Sequence, residues 1–200
     1  GALTNYLTHP ESFTYHLLAH MDMVEGALVE PAAVGMHAAE LAGVKPRKNV
    51  LILGAGCIGL MTLQACVLMG AERIVVADVI DRRLEKALQL GAWHVINGRK
   101  EDTVDRSRAL FGGDGADIVF ETAGSRVTAM QSFASVRRGG EVMIVGTIPG
   151  ETPVDFLKIN REVKVQTVFR YANNFPMTIQ AISSGRFDVL TMVTDEYTYE

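Results

Sequence analysis

Four residues at fixed spacing carry the most specific chemistry of this 200-residue chain: Gly54, Gly56 and Gly59 in the run Gly54-Ala55-Gly56-Cys57-Ile58-Gly59, and Asp78 beyond it. The run is a G-x-G-x-x-G element. Its first glycine permits a tight turn, its second lets the backbone approach a pyrophosphate, and its third lets a helix pack closely on a strand. The free amides and the positive dipole end of the next helix would then meet the phosphates. Asp78 falls near the spacing of ~20 residues at which a carboxylate accepts the ribose hydroxyls of a bound dinucleotide. That carboxylate would repel a 2′-phosphate, so NAD is expected in preference to NADP, with Arg83 one helical turn on as a neighbour of the adenosine. Turn glycines followed by a helix-capping aspartate would use the same letters; strand, helix and acid standing in register favour the cofactor reading.

Other reactive residue types are less specific. Glu30 stands immediately before Pro31 in an apolar stretch, where burying an acid is costly without a partner or a task, so it is a candidate for lining a site. Arg170 and Tyr171 follow the last strand at its C-terminal end, the edge at which open α/β sheets take ligands. Cys57 sits at a helix start, where a thiol can acidify, but it occupies a variable position of the glycine run and has no base near it in sequence. His16 and His20 are four apart and could clamp a metal on a helix, yet no glutamate adjoins the first and no third ligand lies close. A surface or packing role suits them better, as it does the isolated His9, His37 and His94.

Five apolar, β-branched runs must position these residues: 50–53, 74–77, 117–120, 142–145 and 163–169, with a weaker sixth at 93–96. Most are continuously hydrophobic rather than alternating, as strands covered on both faces require. Helical stretches at 58–69, 82–90 and 127–138 separate them, each followed by glycine (Gly70, Gly91, Gly139-Gly140) as at helix C-termini. The alternation predicts a doubly wound α/β fold with a parallel six-stranded sheet. Upstream, Pro31 should divide 23–43 into two short helices meeting near Glu30. Residues 178–184 read as a last short helix closed by Gly185.

A hydrophobic share of 48% against 21% charged residues is that of a folded chain. The net charge of −4 offers no field for nucleic acid or an anionic membrane surface. No run approaches the ~20 apolar residues of a membrane span, and two cysteines without a C-x-x-C pair suit a reducing compartment. A cytoplasmic protein is expected.

With these motifs read, the chain resembles the zinc-dependent medium-chain dehydrogenases, and within them the sorbitol (polyol, L-iditol) dehydrogenase group. The likeness rests on Gly26-Ala27-Leu28-Val29-Glu30-Pro31, on the glycine run, on Gly139-Gly140 and Val145-Gly146, and above all on Val168-Phe169-Arg170-Tyr171. It implies a Rossmann sheet with NAD contacts from Ile58, Asp78 and Arg83. Val145, Gly146, Thr147, Val168, Phe169 and Arg170 would border the nicotinamide side. It also implies that Glu30 contacts a zinc-bound water or the substrate, and that Arg170 and Tyr171 hold substrate hydroxyls. Alcohol dehydrogenases carry a cysteine ligand at the place of Glu30, so the glutamate favours the polyol branch. The family's other zinc ligands, a cysteine and a His-Glu pair, would belong to a segment preceding residue 1.

The organisation this implies is a remnant of a catalytic domain over 1–30, a dinucleotide-binding domain over 31–172, and the start of a return to the catalytic domain over 173–200. The expected activity is hydride transfer from a secondary alcohol of a polyol to NAD, giving a ketose, with zinc assisting in the full-length enzyme and a small-molecule polyol as the partner. Subunits would join as a dimer or tetramer through the sheet edge. Two rival readings stay open: a non-catalytic module that senses or scaffolds through NAD, and a zinc-free quinone reductase, the latter weakened by Glu30 and by Phe169-Arg170-Tyr171.

Overall fold

The computed structural model describes residues 4–159 and 162–198. Six parallel strands form one sheet in the order β3-β2-β1-β4-β5-β6. They are β1 (Asn49–Leu53), β2 (Arg73–Asp78), β3 (His94–Asn97), β4 (Ala116–Glu121), β5 (Val136–Ile144) and β6 (Lys164–Thr167). Between and around them lie α1 (Met23–Leu41), α2 (Cys57–Leu68), α3 (Asp81–Gln89), α4 (Thr103–Leu110), α5 (Arg126–Ser135), the short α6 (Phe156–Ile159) and α7 (Phe175–Ser183). The order reverses between β1 and β4, which makes their seam the switch point of a doubly wound fold.

Both faces of the sheet are covered over β1, β2 and β4, as their continuous hydrophobic runs require, whereas β6 at the edge is largely exposed. Val50 and Ile52 of β1 join one buried cluster with α1, α2 and α7, while Leu51 and Leu53 join a second with Phe111 and Val142. Burying one such Val, Leu or Ile side chain contributes about 1.5–3 kcal/mol.

Three sequence expectations are corrected. Pro31 does not divide the upstream helix: α1 runs unbroken through it. A capping box starts the helix, with Glu25 N donating to Asp22 Oδ1 at 2.7 Å and Asp22 N to Glu25 Oε2 at 2.9 Å. Its buried face then packs so closely on α2 that a Cβ at Gly35 would lie 2.6 Å from the Met61 carbonyl carbon. One missing backbone bond does not outweigh that contact. The Gly139-Gly140 pair does not close a helix: α5 ends at Ser135 and the glycines lie inside β5, where its register against β4 shifts between Ala116 and Ile118. A Cβ at Gly140 would lie 2.9 Å from the Asp117 carbonyl oxygen, so glycine lets the two strands approach this closely at the register shift. Finally, α4 was not expected, because Thr-Val-Asp-Arg-Ser-Arg-Ala-Leu shows no apolar period; Asp102 caps it by accepting from Asp105 N at 2.8 Å.

Candidate cofactor-binding site

The glycine run turns from β1 into α2 at the C-terminal edge of the sheet. Gly54 adopts φ +109°, left-handed backbone that a side chain resists, and its amide donates to the Ala77 carbonyl of β2 at 2.8 Å. A Cβ at Gly59 would run into the Gly54 carbonyl oxygen and come within 2.8 Å of Thr122 Oγ1, so α2 can seat on the turn only with glycine there. Beside Gly56 a Cβ would meet nothing, and no side chain caps α2. Its first amides have no partner inside the helix, and the space beside Gly56 is open. Ile58, half-buried, lies in this first turn.

Asp78 ends β2 beside that turn. Its Oδ2 accepts from Ala55 N at 2.7 Å, and its Oδ1 accepts from Val79 N at 2.7 Å and Ile80 N at 3.0 Å. Arg83 Nη1 stands 3.8 Å from Oδ2. A cleft of about 410 Å³ opens here, lined by Gly54, Asp78 and Arg83 as the sequence suggested, and also by Gly98, Thr103, Ser125 and Thr128. The latter come from segments after β3 and β4 that carry no motif; the signal that could have found them is the small-residue stretch Thr122-Ala123-Gly124-Ser125 following a strand.

Sequence reading also missed Glu121, the last residue of β4. It is wholly buried, and its Oε1 accepts from Ala123 N at 3.1 Å, Gly124 N at 2.9 Å and Thr128 Oγ1 at 2.6 Å. Its carbonyl oxygen takes the amides of Val145 and Gly146, both at 2.9 Å. Val145, Gly146, Thr147 and Val168 therefore follow β5 and β6 along the same sheet edge, Val168 N donating to Ile144 O at 2.8 Å.

A second group gathers nearby. Burial first, and then the Glu30 carboxylate, push the Cys57 thiol above its ordinary range. The Tyr171 phenol is also raised, by burial and by Glu30, with Arg170 opposing. Glu30, Cys57, Arg170 and Tyr171 thus share one field. Contrary to the expectation from its apolar neighbours, the Glu30 side chain is exposed rather than buried. Phe169 is 83% exposed, with the Arg170 guanidinium 5.4 Å from its ring centre. Arg170 holds φ +54°, and the Tyr171 ring meets Phe175 edge-on at 4.8 Å. His20 bonds Ser183 Oγ at 3.0 Å, a packing role.

The arrangement fits a dinucleotide: an open turn of glycines, uncapped helix amides and a carboxylate share one edge. It does not fit zinc, for among the described residues no three His, Cys, Asp or Glu side chains come together.

Residues 57–184, from the first turn of α2 to the end of α7, match the family model for zinc-binding dehydrogenases. The chain belongs to that family. This zinc-binding dehydrogenase sequence is 66% identical to ECK1772 of Escherichia coli, an oxidoreductase/dehydrogenase of solved structure, with a TM-score of 0.95 over 97% of this chain and 56% of that one. It is 36% identical to the sorbitol dehydrogenase of Bacillus subtilis, over 100% of this chain and 57% of that protein. A zinc-binding dehydrogenase of Sinorhizobium meliloti crystallised with NADP shares 28% identity, at a TM-score of 0.82 over 88% of this chain and 53% of that one. The chain therefore spans a little over half the length of these relatives. No helix among its described residues is long and apolar enough to cross a membrane.

Proposed function

We propose that this chain is the NAD-binding part of a cytoplasmic polyol dehydrogenase that oxidises a secondary alcohol of a small polyol to a ketose. The observation that carries the reading is Asp78 standing over the glycine turn, with its carboxylate in the cleft. A bound NAD supplies a nicotinamide ring that accepts hydride from the alcohol carbon. The chain's own residues bind and orient. Gly56 and the first turn of α2, including Ile58, hold the pyrophosphate by backbone amides, and Gly54 and Gly59 make the tight turn that presents them. Asp78 receives the ribose hydroxyls, and Arg83 lies against the adenosine. Val145, Gly146, Thr147, Val168 and Phe169 border the nicotinamide.

On the substrate side stands the Tyr171 phenol, raised by burial and by the Glu30 carboxylate. It can donate to a substrate oxygen while Arg170 offers guanidinium donors and Glu30 accepts. No step is assigned to zinc, whose ligands the described residues do not assemble. Support for a polyol comes from Glu30, from the Phe169-Arg170-Tyr171 run and from the likeness to sorbitol dehydrogenase. Residues 31–172 would form the dinucleotide-binding unit between catalytic-domain segments 1–30 and 173–200. A dimer or tetramer would form through β6, an edge strand with exposed Val165 beside exposed Phe156 and Leu157.

Calorimetric titration with both dinucleotides tests the cofactor. NAD should bind at least about tenfold more tightly than NADP, a difference of ~1.4 kcal/mol; equal affinities would overturn the assignment. A screen of sorbitol, xylitol, iditol, butanediol and threonine, read as NADH formed by the complete protein, tests the substrate class. Turnover of threonine alone would refute the polyol reading.

A further inference from the structure

We infer that Glu121 is a positioning residue for the dinucleotide: its buried carboxylate holds the loop after β4 in the shape that lines the cleft, at the strand end whose carbonyl oxygen ties that loop to the one after β5. The inference rests on the dinucleotide reading above.

Both halves of the residue take part. On the β4 side, Oε1 gathers the amides of Ala123 and Gly124 and the Thr128 hydroxyl, and Ala123 and Thr128 line the cleft. On the β5 side, the carbonyl oxygen holds the amides of Val145 and Gly146. The two loops then interlock. A Cβ at Gly146 would lie 2.6 Å from Glu121 Oε2, and one at Gly124, whose φ is +68°, would lie 2.9 Å from the Thr147 carbonyl oxygen. Glycine faces glycine across the seam, so neither loop can carry a side chain there or slide past the other.

Oε2 marks the cost of this arrangement, for it is buried without a hydrogen-bond partner among the described residues. Leaving a carboxylate oxygen unpaired in a core is unfavourable, and an apolar side chain of similar volume would often serve packing as well or better. What an apolar side chain cannot do is accept three donors at one point and hold a loop in register. The orphaned oxygen is explained if Oε1 is what the site needs.

The test is NAD titration by calorimetry on the complete protein, with thermal unfolding recorded for every variant. Glu121→Gln keeps an oxygen for the three donors and should stay within about threefold of wild-type affinity, whereas Glu121→Ala strands them and should weaken NAD by roughly tenfold or more while still unfolding cooperatively above the assay temperature. A folded Glu121→Ala that binds like wild type overturns the inference, and so does a Gln variant as weak as the Ala one. Should Glu121→Ala not fold, Thr128→Val, which removes the shortest of the three donors, decides. Weakened NAD binding restored by Thr128→Ser supports the role, and unchanged binding rejects it. A wild-type protein that takes neither NAD nor NADP would overturn the dinucleotide reading itself, and this role with it.

Discussion

Asp78 shows what one carboxylate can do when its neighbours are fixed. Three backbone amides already hold it, and Arg83 is close enough to neutralise part of its charge. Asp78→Ala should cost about 1.5–3 kcal/mol of NAD binding, the usual worth of a hydrogen bond to a charged group. The measured NAD-to-NADP affinity ratio should fall as well, because the repulsion of a 2′-phosphate disappears. Tyr171 offers a second test. Since the Glu30 charge helps to raise its phenol, Glu30→Gln should bring that phenol back toward its ordinary value, seen as one tyrosine ionising earlier in an ultraviolet pH titration; an unchanged titration would show that the two groups do not share a field. Gly54, Gly59 and the place of Asp78 beside the glycine turn were legible in the sequence because a positive φ, a close backbone approach and an acid ending the second strand are each open to few residue types. Thr103, Ser125, Thr128 and Glu121 were not, since a polar residue after a strand has many possible roles and only the folded seam selects one.

Elements were legible to the extent that hydrophobic period governed them. The continuous apolar strands and α2 followed the reading, whereas α4, capped by Asp102 and nearly without apolar period, did not. The glycines of β5 read equally well as a helix end, because the letters for a cap and for a strand irregularity are the same. In α1, packing overrides Pro31. Gly35 is the sharpest measure of that packing: a methyl there would press on the Met61-Thr62 backbone. Gly35→Ala should therefore destabilise the fold by about 1–3 kcal/mol, the usual range for overpacking, with a matching fall in melting temperature. Pro31→Ala should act in the opposite direction, restoring a helical bond and raising stability by up to about 3 kcal/mol. A lower melting temperature would mean that the proline is itself required by the α1 geometry.

Across the whole molecule, the edge opposite the cleft is tied by charge. Asp117 accepts from Asn49 N at 2.9 Å and Arg137 Nε at 2.8 Å, with Lys48 Nζ 3.5 Å away. Burial alone would raise its carboxyl, but the Asn49 amide, Arg137 and Lys48 outweigh that and hold it below the usual range. A lowered carboxyl contributes stability that is fully present above the unfolded value of about 3.9 and is lost as pH falls through the folded one. The gap in melting temperature between wild type and Asp117→Asn should accordingly be constant near neutrality and close on acidification below that value. The seam between β1 and β4 reaches further. Leu53 pairs with Glu121 beneath the cleft, so its floor unites β1 with a strand made much later in synthesis, and pairings so distant along the chain form slowly. A nascent chain can offer Gly54 and Asp78 long before it offers Ala123. Dinucleotide added during refolding should therefore leave the early steps untouched and draw off only molecules whose two halves have already met.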